Sequence, residues 1–96
     1  MRENNAASWS LAGPMTLETA AGLRVEGDDW LQAEAGAVRT LDLGKVTAVD
    51  SAAIALLLEW QRLARQRSLQ LDVVNAPDRI RKIASISDLE AMIGLA

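Results

Sequence analysis

Strand-forming segments alternate with helical segments along this chain of 96 residues, and no other sequence feature constrains the fold as much. Strand-type residues occupy positions 9–11, 37–43, 46–49 and 69–74, and helical patterns fill positions 17–35, 50–67, 76–84 and 87–94. Parallel strands joined by helices use right-handed crossovers. The order therefore predicts an α/β sandwich, with a short mixed but mostly parallel sheet and helices mainly on one face.

Turn and capping residues set the predicted boundaries of the first two elements. Gly13-Pro14 is expected to stop the first strand, and Thr16 to cap the helix that follows. Gly22 and Gly27 lie inside that helix. Since glycine costs about 1 kcal/mol relative to alanine in a helix, we expect this helix to be broken or loose.

Further along the chain, Gly44-Lys45 is expected to form a turn between two extended segments. Near the carboxyl terminus, Ser87 and Glu90 have the spacing of a capping box, and Gly94 is a residue type that ends helices. These residues predict a short last helix.

The helix that begins after Asp50 carries the most informative pattern. Asp50 and Ser51 are residue types that cap a helix, because their side-chain oxygens accept backbone N–H groups. An apolar stripe docks this helix on the sheet, and Ser51, Ile54 and Leu58 form a ridge on its flank. The ridge either contacts neighbouring helices or is a protein-docking surface. Asp50 and Ser51 are either a cap alone or part of such a surface.

Composition excludes several classes of function. The chain has no cysteine and no histidine, which removes disulfides, thiol nucleophiles and histidine-based metal or triad chemistry. Three tryptophans are the only aromatic residues and the net charge is −3, so we expect no nucleic-acid partner. Asp42 and Asp50 could pair as carboxylates, but no nucleophile–base pair or phosphate-binding loop accompanies them. We expect no enzyme activity, metal or cofactor.

The chain shows no sign of membrane insertion or export. Its longest apolar run, residues 52–58, is too short to span a bilayer, and no apolar signal core follows the first residues. We expect a cytoplasmic protein with a flexible start at residues 1–7 and one domain at 8–96. A basic cluster on residues 62–67 and 79–82 is either solvated or contacts an acidic partner or the membrane surface.

Residues 39–58 carry a resemblance to a known family. An apolar strand ending in Asp42-Leu43, a short turn, and Val49-Asp50-Ser51 before an apolar helix resemble the core of a STAS domain. Residues 11–16 are similar to the family's entry to its first helix, and residues 69–89 to its last strand and helical tail. The resemblance implies a STAS-like sandwich and an adaptor rather than an enzyme.

Two branches of the family give different partners. The chain resembles most the small subunit of the Mla phospholipid-transport ABC system, which implies binding to the ATPase subunit and only indirect contact with the inner membrane. The alternative is an anti-sigma-factor antagonist that binds an anti-sigma factor kinase. That branch has its phosphorylated serine two residues after the aspartate, where this chain has Ala52. The resemblance implies that Asp50 and Ser51 belong to a partner-contacting site, with Ser51 the candidate phosphorylation site. The ridge on the same helix adds Ile54 and Leu58 as the expected apolar contacts.

Overall fold

A computed structural model of the chain describes residues 7–34 and 36–95. The elements follow in the order β1 (Ser8–Met15), α1 (Ala20–Gln32), β2 (Val38–Val49), α2 (Ser51–Gln66), β3 (Gln70–Val74) and α3 (Asp78–Ile86). The described strands form one sheet in the order β1-β2-β3, and both pairings are parallel. The predicted α/β class and parallel crossovers are therefore confirmed. The predicted flexible start falls mostly on residues 1–6, which, like Ala35 and Ala96, lie outside the described residues.

The helices cover one face of the sheet, as the strand patterns predict. Alternate strand residues on that face are buried: Trp9, Leu11, Leu41, Leu43, Leu71 and Val73. Leu31 of α1, Leu57 of α2 and Ile80 of α3 complete the core. The opposite face is polar and half-buried, with Ser10 and Asp42 side by side. The molecule is thus a two-layer sandwich, and its core lies between the sheet and the helices.

The first strand does not stop at Gly13-Pro14, so that prediction was wrong. β1 continues to Met15, and its register shifts between Gly13, which pairs with Val46, and Pro14, which pairs with Ala48. Proline has no N–H to donate to a neighbouring strand, but β1 lies at the edge of the sheet, and the shift leaves Thr47 as an extra residue in β2 opposite the step from Gly13 to Pro14. Pairing with β2 therefore overrides the local stop signal.

The predicted cap at Thr16 was also wrong, because residues 16–19 form a turn and α1 begins at Ala20. The Thr19 hydroxyl holds this turn, since it accepts from the Thr16 N–H (3.0 Å) and donates to the Pro14 carbonyl (2.9 Å).

Nor is α1 broken at its glycines, because tertiary packing requires one of them. A Cβ on Gly27 would lie 2.2 Å from Cε2 of Trp60 on α2. Gly27 therefore lets the two helices approach closely. Trp60 in turn packs edge-on against Trp9 of β1 (ring centroids 5.5 Å apart), and Trp9 also contacts Trp30 (5.6 Å). The three tryptophans join both helices to the sheet.

The carboxyl end of α1 is held by Arg39, a buried residue that the sequence did not indicate. Its guanidinium donates to the carbonyls of Trp30 (2.7 Å), Ala33 and Gly36 (3.4 Å). A cation at this position complements the negative end of the helix dipole, and it binds carbonyls of the last helical turn and of the segment that follows. Arg39 thereby fixes α1 to the middle strand.

The predicted turn at Gly44-Lys45 and the predicted last helix are also wrong. Gly44-Lys45 does not end the strand: β2 runs through it, with a register shift against β1 that absorbs the extra residue. The predicted last helix is a series of turns, and Asp88, just after the predicted cap, adopts a φ of 56°. This angle lies outside the right-handed helical region. Gly94 has a φ of 80°, which is typical of a residue that ends a helical turn. The turns end beside β3, where the Val73 N–H donates to the Gly94 carbonyl (2.9 Å).

Candidate functional site

Asp50 organises the junction between β2 and α2. One carboxylate oxygen accepts the Ala52 N–H at 2.8 Å, so Asp50 is the N-cap of α2, as its position predicts. The other oxygen accepts the Leu17 N–H at 3.0 Å, a bond across 33 residues that no sequence pattern indicated. Asp50 therefore joins the turn before α1 to the start of α2, and it fixes the relative position of the two helix ends.

Ser51 is the first residue of α2, and it is exposed. Because Asp50 makes the capping bond, capping accounts for the aspartate but not for the serine at this junction. The serine hydroxyl faces solvent at a helix start, where a partner protein or a modifying enzyme can reach it.

Ile54 does not form an exposed ridge, so this part of the predicted docking surface needs correction. Its side chain is only 7% exposed and belongs to the core. Leu58 is half-buried and packs against the same core. The apolar ridge therefore faces mainly inward, because the buried face of α2 is wider than its central stripe suggests. Ser51 is exposed to solvent, and the side chain of Leu58 is partly exposed.

A groove between α1 and α2 opens beside Ser51, with a volume of about 650 Å³. Its walls are mostly apolar, and they include Leu17, Ala21, Ser51, Ala55 and Leu56. The alanines in these walls have small side chains, which leave the space between the two helices open. Leu17, 76% exposed, stands at the mouth of the groove. No sequence pattern indicated the groove, because two helices distant in the chain form it.

An ion-pair network closes the far end of the groove. Glu59 contacts Arg62 on its own helix (2.5 Å) and Arg24 of α1 (3.6 Å). The hydrogen bond from Arg62 lowers the pKa of Glu59 below its usual value of 4.5, and the positive charges of Arg62 and Arg24 add to this effect against desolvation. The network is exposed to solvent, so it marks the rim of the groove more than it stabilises the fold.

The other charged candidates have local roles or are spread out. Asp42 accepts the Gly44 N–H (2.8 Å) and the side-chain amide of Asn75 (3.1 Å), and it makes no bond to Asp50 within the described residues. The two carboxylates thus serve different backbone turns. In the basic cluster, Arg62 pairs with Glu59, and Arg81 donates to the Ala76 carbonyl (3.3 Å).

Residues 7–34 and 36–95 contain no group of acidic side chains placed to hold a metal ion. None of the helices in these ranges has the length and apolar character needed to cross a membrane.

Comparison with known proteins places this geometry in a family context. Residues 2–94 match the family described as Mlab, STAS domain. The fold is similar to that of the anti-sigma factor antagonist SpoIIAA in its unphosphorylated form (TM-score 0.66, 14% identity, 88% of this chain and 79% of that one). It is also similar to a sulfate transporter family protein from Wolinella succinogenes (TM-score 0.69, 21% identity, 92% and 73%). At these identities the two structures show a shared fold. No curated protein matches the sequence.

Proposed function

The chain belongs to the Mlab, STAS domain family, and from this premise we propose that it is an adaptor subunit of a Mla-type phospholipid-transport ABC system. STAS domains generally act in regulation or protein–protein interaction rather than as enzymes. The partner proposed here is the ATPase subunit of the transporter. The adaptor would be cytoplasmic and would reach the inner membrane only through this partner.

The observation that carries the proposal is the exposed Ser51 at the rim of an apolar groove. Asp50 is used by two backbone bonds and shapes the surface without needing to contact the partner. A partner can contact the exposed residues Leu17 and Ser51 and the accessible part of Leu58. The side chain of Ile54 is buried and contributes to the core beneath this surface. A polar group beside an apolar recess is the composition of many protein-binding surfaces.

Binding would support the ATPase by mass action. A partner that binds only the assembled, active conformation raises the population of that conformation in proportion to its differential affinity. The adaptor needs no chemistry of its own for this effect, which fits a chain without histidine or cysteine.

The test is binding of purified Ser51→Asp to the ATPase subunit of the Mla-type transporter from the same organism. At the first position of α2 an aspartate is favoured by the helix dipole, so the melting temperature stays within a few degrees of the wild type. In a desolvated contact, the new charge beside Asp50 costs several kcal/mol, and binding falls by about two orders of magnitude or more.

The matched control is Ser85→Asp, which adds the same charge at an exposed serine on α3. This variant should bind the ATPase like the wild type. Undiminished binding by Ser51→Asp, or no association of the wild-type chain at micromolar concentration, would refute the proposal.

The exposed hydroxyl of Ser51 also favours a second candidate, an anti-sigma-factor antagonist switched by a serine kinase. Ala52 stands where that branch carries its phosphorylated serine, so Ser51 would have to accept the phosphate. Intact-mass measurement after incubation with the cognate anti-sigma factor kinase tests this alternative. A mass unchanged by the kinase excludes the switch.

A further inference from the structure

The middle strand is longer than one of its neighbours, and part of its edge is unpaired. β2 pairs with β3 only from Val38 to Asp42, whereas its pairing with β1 continues to Val49. Within the described residues, no strand therefore lies along the β3 side of β2 between Gly44 and Val49. At about 3.3 Å per residue, this open edge is roughly 20 Å long.

A specific turn ends β3 and creates this edge. Asn75 adopts a φ of 55°, and its side-chain amide donates to Asp42, whose carboxylate also accepts the Gly44 N–H. The chain then leaves the sheet through Pro77 and enters α3. Side-chain bonds from both strands thus hold the end of β3, and the open edge is built into the fold.

A cavity of about 300 Å³ lies along the open edge. Four consecutive residues of β2, positions 46–49, line it together with Pro77 and Arg79. Successive residues of a strand point to opposite faces, so a cavity lined by four in a row follows the edge of the strand rather than either face. Val46 and Val49 are half-buried, and the residues between them are exposed. The cavity is therefore lined by backbone groups of β2 and by the partly buried apolar side chains of Val46 and Val49.

We propose that the edge of β2 from Gly44 to Val49 is a docking site for an extended, acidic segment of a partner protein. The segment would add to the sheet in line with β3, and an acidic side chain would meet Arg79. Arg79 is exposed, and the structure gives it no ion pair within the described residues.

The charge of Arg79 argues against a second copy of this chain as the occupant. Two copies joined edge to edge would bring a second Arg79 to the contact without an acidic partner for either, and like charges disfavour strand pairing. An acidic peptide brings the opposite charge to Arg79 and does not meet this repulsion. This inference goes beyond the proposed ATPase contact and does not depend on it.

The test uses a phage-displayed library of random twelve-residue peptides selected on the full chain. We expect the enriched peptides to combine aspartate or glutamate with β-branched residues. Binding of the synthetic peptides should slow amide exchange within residues 44–49. Arg79→Glu should weaken binding by about tenfold or more, because an attractive pair becomes a repulsive one.

Lys82→Glu is the matched control, since it makes the same charge change at an exposed position of the same helix outside the cavity. It should leave the affinity within about twofold of the wild type. Arg79→Gln, which only removes the charge, covers the case in which the reversal unfolds the domain. Failure to enrich acidic peptides, equal loss in both α3 variants, or exchange protection confined to other residues would overturn the proposal. Dimerisation that protects residues 44–49 would assign the edge to a second copy instead.

Discussion

Replacing Gly27 with alanine tests whether close packing of α1 on Trp60 sets the position of the two helices that form the groove. The new Cβ would lie 2.2 Å from Cε2 and 2.3 Å from Nε1 of Trp60. Nonbonded carbon atoms rest about 3.5–4.0 Å apart, so the contact must open by about 1.3 Å or more. Trp60 is 1% exposed and packs against Trp9, and its rigid ring has little room to move.

Two effects of opposite sign determine the result. Alanine gains about 1 kcal/mol over glycine in a helix interior. Overpacking a well-packed core costs about 1–3 kcal/mol, and a shift of this size belongs at the upper end. We therefore expect Gly27→Ala to lower the free energy of unfolding by about 2 kcal/mol. In a domain of this size that lowers the melting temperature by about 8 °C or more.

Gly22 supplies the control on the same helix. It is exposed, and a Cβ there would meet no atom within 4 Å. Gly22→Ala should therefore be stabilised by up to about 1 kcal/mol, a rise of about 4–8 °C. Thermal and urea denaturation of both variants measure these changes in melting temperature and in the free energy of unfolding. If Gly27→Ala were as stable as Gly22→Ala, the close approach of α1 to Trp60 would not be a feature of the folded protein.

Two further predictions concern the junction and the rim of the groove. Asp50→Ala removes the cap of α2 and the bond to Leu17, so urea denaturation should show a free energy of unfolding lower by about 2 kcal/mol. Asp50→Asn retains the cap and should lose less stability. A decrease below about 0.5 kcal/mol for Asp50→Ala would contradict the double role of Asp50. By NMR titration the pKa of Glu59 should lie below 4.5, so its ionised form favours folding above that pH and the contribution disappears as the pH falls through the lowered pKa. Arg62→Gln should raise this pKa more than Arg24→Gln does, and the reverse order would contradict the assignment of the hydrogen bond to Arg62.

Sequence patterns predicted correctly those helices and strands whose structure is determined by residues close to them in the chain. The capping position of Asp50 and the uninterrupted pattern after it predicted α2, and the alternation of strands and helices predicted the parallel sheet. The failures occur where distant contacts decide. Pairing with β2 carries β1 through Gly13-Pro14, and Trp60 gives Gly27 a packing role that composition does not reveal.

At the candidate site, the cap at Asp50 was predictable from its residue type and position, whereas the groove required knowledge of which helices lie side by side. The burial of Ile54 depends on what covers the flank of α2, and periodicity within one helix does not report that.

The parallel sheet also determines when the chain can fold. Ser8 pairs with Thr40 and Thr40 pairs with Asp72, so each pairing joins residues 32 positions apart. Every described strand pairing therefore closes a long loop before it gains any contact, and such topologies fold more slowly than those built on hairpins. During synthesis, β2 leaves the ribosome well before β3, and until then its whole β3 side is an unpaired edge. The nascent chain thus depends on its last third for protection against aggregation.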